Sequence, residues 1–151
     1  MSETLEEFKE RIRKQYAFTY YDRQGKEIDR EEWEAKIIDN DYKIVKQQYY
    51  DRWFISTVWL GAPAMLSFRS EENLIFETMI FYSDRDSPDI GDDLVGYQER
   101  YATEDQAKIG HQNAVLLCHE QLQRELLIKT VVSRVVENAK DLQLEDLDRS
   151  K

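Results

Sequence analysis

A carboxylate in the middle of an apolar segment is the first residue of this sequence that could do chemistry. Glu77 lies in LIFETMIF, where strand alternation puts it on the same side as Met79 and Phe81. A carboxylate that is buried without a partner has a raised pKa, and beside His111 it could act as a general acid or base. The alternative is a structural carboxylate paired with an arginine, for which the sequence offers Arg52, Arg69 and Arg100.

A second segment, FISTVWLG, also carries polar residues at its centre, Ser56 and Thr57. Two facing strands would bring these hydroxyl groups close to the carboxylate. The candidate site for a small ligand or for catalysis consists of Ser56, Thr57, Glu77, Arg100, Tyr101 and His111. The competing interpretation is a half-covered sheet in which neighbouring side chains satisfy every polar group.

Residues that commonly bind metals or act as nucleophiles occur in patterns that favour neither chemistry. His111 and His119 are eight residues apart with Cys118 between them, whereas zinc needs three or four convergent ligands. The segment DRDSPDIGDD, residues 84–93, departs from the EF-hand pattern, because Pro88 stands at a ligand position and Asp89 replaces the glycine. Neither a G-x-S-x-G elbow nor a glycine-rich phosphate loop occurs. We therefore expect no catalytic nucleophile, no metal and no cofactor.

The charge is strongly negative and unevenly distributed. The formal net charge is −10, and residues 76–151 contain 9 Lys/Arg against 16 Asp/Glu. Such a field disfavours direct binding of nucleic acid and attracts a protein partner with a basic surface. Residues 84–105 contain eight acidic residues and two arginines. The candidate partner-binding residues are Asp84, Asp86, Asp89, Asp92 and Asp93; the alternative is a solvated loop whose charge only keeps the protein in solution.

Length and composition predict a single globular chain in a reducing compartment. The 151 residues are 41% apolar and 34% charged, which suits a folded domain with a well solvated surface. No apolar run approaches the roughly 20 residues of a membrane-spanning helix, and the charged N-terminus lacks the apolar stretch of a signal peptide. The single cysteine excludes an internal disulfide, so the cytoplasm is the simplest location.

Turn and alternation patterns predict the strands that position the candidate residues. Strands are expected over residues 16–21, 42–50, 53–60 and 74–82, with a short edge strand near Arg100. Strands connected this closely favour an antiparallel meander. The predicted fold class is α+β, a small antiparallel β-meander packed by helices, with a long C-terminal helix.

Helix signals occur on both sides of these strands. Ser2 is expected to cap an amphipathic helix that ends near Gln15, and Asp29 is expected to cap a second, short helix. The apolar side of the second helix is predicted to carry Trp33, Ile37 and Ile38. Thr103-Glu104-Asp105-Gln106 has the form of a capping box and begins a helix that continues to about residue 140, with a break near residues 126–130 as an option.

A helix of that length measures about 50 Å, which exceeds the width of a domain of this size. We therefore expect a single α+β domain at residues 1–125 and a C-terminal helical extension at residues 126–151. A second copy of the chain would cover the apolar stripe of the extension and make a homodimer, and a helical hairpin within one chain is the alternative. The predicted oligomerisation residues are Leu127, Val131, Val132, Val135 and Val136.

The order of several motifs resembles that of a known family. YYDRQGKEIDREEWEAKIIDNDYKIVKQ, ISTVWLG, LIFETMIF and RYATEDQAKIGHQNAV are similar to a family of small uncharacterised proteins encoded by bacteriophages and bacteria. The likeness covers roughly residues 19–115, and its most specific parts are residues 56–61, 76–79, 100–101 and 110–111. The resemblance implies a phage or mobile-element setting, hence a host-cell cytoplasm, and it implies no particular chemistry.

Three functions follow as hypotheses. The first is a non-enzymatic, acidic, homo-oligomeric accessory protein that binds another macromolecule, for example a counter-defence inhibitor of a host effector that binds nucleic acid. The second is a small-ligand-binding protein or enzyme with its site on the sheet around Glu77. The third is a virion or scaffold component.

Overall fold

An antiparallel sheet with one long helix across it is the main feature of the computed structural model, which describes residues 4–8, 19–62, 72–83 and 94–149, with side chains as far as Asp141. A helical turn at residues 5–8 comes first. The elements that follow are β1 (Tyr20–Tyr21), β2 (Glu27–Ile28), α1 (Arg30–Ile38), α2 (Asn40–Lys43), β3 (Ile44–Tyr50), β4 (Trp53–Trp59), β5 (Phe76–Tyr82), β6 (Gln98–Tyr101) and α3 (Glu104–Arg149).

The strands β3, β4, β5 and β6 form the sheet in that order, and each is antiparallel to its neighbours. Thr57 is directly opposite Thr78, and Glu77 is directly opposite Arg100. The β1–β2 hairpin forms a separate two-stranded sheet. The predicted α+β class, the meander and the long C-terminal helix are confirmed.

Short polar side chains explain where the small elements begin. The Asp22 carboxylate accepts hydrogen bonds from the amides of Gln24 and Lys26 and shapes the turn between β1 and β2. Asp29 accepts from the Glu32 amide and caps α1, as predicted. Asp39 accepts from the next amides and starts α2, so the strand predicted from residue 42 begins only at Ile44.

Of two further expectations about helices, one lies outside the described residues and one is wrong. The cap in the N-terminal segment is Thr4, whose hydroxyl accepts from the Glu7 amide while the Glu7 carboxylate accepts from the Thr4 amide. The predicted cap, Ser2, lies outside the described residues. Ile38 is 79% exposed, because α1 ends there and only Trp33 and Ile37 reach the core.

The first half of α3 lies across the sheet. Its capping box forms as predicted, since the Thr103 hydroxyl accepts from the Gln106 amide at 3.2 Å and the Gln106 side chain accepts from the Thr103 amide at 3.1 Å. Three of its fully buried side chains are small, namely Ala107, Ala114 and Cys118, and the fourth is His111. Small residues at this spacing let the helix backbone approach the strands closely.

Two apolar clusters fill the space between α3 and the sheet. One contains Trp53, Ile55, Ile80, Ala114 and Cys118. The other contains Trp59, Ile75, Phe76 and Ala107. Buried polar residues separate them, and these residues belong to the predicted site.

The second half of α3 leaves the body of the protein. Among the described side chains of the helix, Glu125 is the last that is partly buried, and each one from Leu126 to Asp141 is exposed. The helix is unbroken from Glu104 to Arg149, so neither the optional break near residues 126–130 nor the helical hairpin occurs.

Candidate functional site

A chain of hydrogen bonds links β3, β4 and β5 to α3 between the two apolar clusters. Nδ1 of His111 lies 2.8 Å from the Thr57 hydroxyl, which lies 2.7 Å from the Thr78 hydroxyl. Nε2 of His111 lies 3.2 Å from Oε1 of Gln48. His111, Thr57 and Thr78 are all fully buried. One histidine on the helix therefore joins three strands.

The proton positions follow from these contacts. Oε1 of Gln48 can only accept a hydrogen bond, so Nε2–H of His111 donates to it. Nδ1 of His111 then accepts from the Thr57 hydroxyl, whose oxygen accepts from the Thr78 hydroxyl. Every donor then has an acceptor, and the imidazole is neutral. Burial, with a smaller contribution from the positive charge of Lys46, lowers the pKa of His111 to about 4. At neutral pH the ring is therefore a structural hydrogen-bonding group and not a general acid.

The opposite face of the sheet carries the carboxylate. Oε2 of Glu77 accepts from Nε of Arg100 at 2.8 Å and also from the side-chain amide of Gln98. Beside it, the Gln47 side chain donates to the Ser56 hydroxyl at 2.9 Å. Glu77 is only 7% exposed, and the nearby ion pair with Arg100 compensates the charge.

The structure does not bring the six predicted site residues together on one surface. Strand alternation separates Ser56 from Thr57, so that Ser56, Glu77 and Arg100 lie on the outer face. Thr57 lies on the inner face, where it contacts His111 of α3. Tyr101 also lies on the helix side, where its ring packs directly on Gly110. The sheet itself stands between the carboxylate and the imidazole.

The other predicted residues are distributed as follows. Arg52 forms an ion pair with Glu125 at 2.6 Å, and Arg69 and the five loop aspartates lie outside the described residues. Cys118 is buried in the core, as its apolar stripe predicts. His119 is exposed and Nδ1 lies 2.6 Å from the Tyr50 hydroxyl. Within the described ranges, no group of three or more His, Cys, Asp or Glu could hold a metal ion.

Sequence reasoning missed the partners of both central groups. Gln48 and Gln98 satisfy His111 and Glu77, and each comes from a neighbouring strand whose register decides the contact. The outer face also carries a row of aromatic rings, in which Tyr49 is 4.9 Å from Phe54 and Phe54 is 6.4 Å from Phe81. Alternation along each strand was the signal that could have identified this row.

The exposed half of α3 contributes a separate surface, which we call the distal face. Its members are the exposed aliphatic side chains on one side of the helix, Leu127, Ile128, Val131, Val132, Val135 and Val136. At 3.6 residues per turn they cover about half of the circumference. The predicted oligomerisation residues all belong to it, and the residues on the other side include Lys129, Arg134 and Glu137.

Comparison with known proteins finds no matching family model, no matching curated protein and no matching solved structure. Among the helices of the described residues, none combines the length and the apolar composition of a membrane-spanning segment.

Proposed function

We propose that this protein is a non-enzymatic accessory protein that binds other macromolecules and that it does so as a homodimer. The distal face carries the proposal, because its six aliphatic side chains are each 46–64% exposed. Contiguous apolar surface of this kind marks an interaction site, and covering it gains about 25 cal/mol for each Å² removed from water. A second copy presents the same face and can cover it in an isologous contact.

The polar groups of the sheet support binding rather than catalysis. Glu77 is held by Arg100 and Gln98, and His111 is held by Gln48 and Thr57. A general acid or base must exchange its proton with a substrate. Neither side chain is open to one in this arrangement, because both are more than nine-tenths buried.

The proposed partner is a protein with a basic surface, such as the nucleic-acid channel of a host effector. The support is electrostatic, since the net charge is −10 and residues 84–105 carry eight acidic side chains. An acidic protein that occupies such a channel excludes the nucleic acid and inhibits the effector. This proposal sets the protein in a host cytoplasm, in the phage or mobile-element setting that the motif resemblance implies.

Capture of partners from a host lysate on the immobilised protein tests the charge-based contact. Neutralising Asp84, Asp86, Asp89, Asp92 and Asp93 to Asn should weaken capture, and added salt should weaken it as well. A matched control neutralises five acids elsewhere on the surface, Glu27, Glu31, Asp41, Glu120 and Glu137. If capture is indifferent to salt and responds equally to both sets, the charge-based contact is wrong.

The same assay links the distal face to function. Two linked binding sites raise apparent affinity, so a variant with Val132→Glu and Val135→Glu should capture less partner than the parent. Thr130→Glu with Ser133→Glu adds the same charge on the other side of the helix and should leave capture unchanged. Equal capture by all three proteins would show that binding does not depend on the dimer.

A further inference from the structure

The charge along α3 changes sign in the middle of its projecting half. Residues 124–136 contain three basic side chains and one acid, Glu125, which is already paired with Arg52 of the same chain. Residues 137–149 contain five acidic and two basic side chains. The projecting half is therefore basic near the body of the protein and acidic towards its end.

From this polarity we infer that two copies pair their distal faces in antiparallel orientation. The inference rests on the homodimer proposed above and specifies its arrangement. In a parallel pair the five acids of one helix end would lie beside the same five acids of the partner, and like charges on paired helices repel. In an antiparallel pair centred between residues 133 and 134, residues 137–149 of each helix lie beside residues 118–130 of the other, which carry two acids and two bases and therefore do not repel them.

The helix dipole acts in the same direction. The C-terminal end of a helix carries a partial negative charge, which cations stabilise and acids destabilise. Residues 141–148 add four acids at that end of α3. An antiparallel partner brings Arg124 opposite residue 143 and Lys129 opposite residue 138, whereas a parallel partner brings a second negative end.

The sizes of the apolar side chains also fit the antiparallel arrangement. Ile128, Val132, Val135 and Ala139 recur at intervals of four, three and four residues, which is the spacing of a coiled-coil seam. Antiparallel pairing about the middle of this seam sets Ile128 against Ala139 of the partner and Val132 against Val135. Isoleucine then faces alanine in the two outer layers and valine faces valine in the two inner ones, whereas a parallel pair stacks alanine on alanine and leaves that layer thin.

Disulfide cross-linking of full-length variants distinguishes the two orientations. A disulfide requires Cα atoms within about 7 Å. In the antiparallel pair the two copies of residue 128 lie about 16 Å apart along the axis, at 1.5 Å per residue. Ile128→Cys alone should therefore give no covalent dimer on mild oxidation, and Ile128→Cys combined with Ala139→Cys should give one. Cys118 is fully buried, so the parent protein serves as the control.

Sedimentation of the reduced variants separates failure of the orientation from failure of the dimer. Ready cross-linking of Ile128→Cys by itself, at dimer mass, would overturn the antiparallel arrangement and leave the homodimer in place. Dimer mass with no cross-link in either variant would also overturn the stated pairing. Monomer mass for the parent and both variants would overturn the homodimer and the orientation together.

Discussion

His111 holds the fold together at a point where apolar packing is interrupted. Its ring bonds to Gln48 on β3 and to Thr57 on β4, and Thr57 extends the chain to Thr78 on β5. A buried polar group without a hydrogen-bond partner lowers the stability, and each of these side chains has a partner within the network. The network therefore fixes the position of α3 relative to three strands. The two apolar clusters alone would allow more than one position, because apolar contacts are not directional.

Removing single hydroxyl groups should show the order of importance within this network. Thr57→Val leaves Nδ1 of His111 without its donor and Thr78 without its acceptor, so we expect a loss of about 1–3 kcal/mol in the free energy of unfolding. Thr78→Val keeps the Thr57–His111 bond and should cost less. Urea unfolding of both near-isosteric variants provides the comparison, and a larger loss for Thr78→Val would contradict the assigned directions of donation.

The lowered pKa of His111 predicts a specific sensitivity to acid. Its folded-state pKa of about 4 lies below the ordinary value of 6.5, so between these pH values the unfolded chain binds a proton that the folded chain excludes. Above pH 6.5 this group does not make the free energy of unfolding depend on pH. As the pH falls from 6.5 towards 4, the free energy of unfolding decreases by at most about 1.4 kcal/mol per pH unit.

Unfolding free energies measured from pH 7 to pH 4 test this sensitivity. We expect His111→Asn, although less stable at pH 7, to lose less stability on acidification than the parent. An equal slope for His111→Asn and the parent would mean that His111 does not exclude the proton.

At the scale of elements, the close approach of α3 to the edge strand depends on Gly110. A Cβ atom at this position would lie 2.0 Å from the Tyr101 hydroxyl oxygen. Gly110→Ala should therefore destabilise the protein by about 1–3 kcal/mol through overpacking, despite the better helix propensity of alanine. After Tyr101→Val removes the ring, the same substitution should become neutral or stabilising by up to about 1 kcal/mol. Thermal unfolding of the four proteins in this cycle tests the contact, and equal effects in both backgrounds would disprove it.

Local signals in the sequence were sufficient for most elements. The capping box at Thr103, the cap at Asp29 and the alternation in β4 and β5 each depend on residues a few positions apart. The start of β3 was misjudged because Asp39 can cap a further helical turn as readily as it can end one.

The candidate site was less predictable because its contacts join distant parts of the chain. Gln48 and His111 are 63 residues apart, and only the strand register decides that they meet. Adjacent polar residues are a different case, because the expectation of one site at Ser56 and Thr57 overlooks a local signal: strand alternation directs these side chains to opposite faces. The arginine partner of Glu77 was one of three candidates, and the register selects Arg100.

At the scale of the whole molecule, the chain combines a closed body with an open helix. The described polar groups at the centre of the sheet are paired within the body, whereas the helix beyond Glu125 exposes every described side chain. An exposed apolar face of this kind lowers the solubility of the protein, and a second copy that covers the face would restore it. The central claim is therefore that the distal face is an interface between two copies.

The solution mass of the full chain is the most direct test of that claim. Sedimentation equilibrium should give twice the 18.1 kDa of one chain. Val132→Glu with Val135→Glu should give the monomer, because the two copies would bury four carboxylates in the interface without partners. Thr130→Glu with Ser133→Glu, on the other side of the helix, should retain the dimer. A mass of 18.1 kDa for the unmodified chain at every concentration would contradict the account.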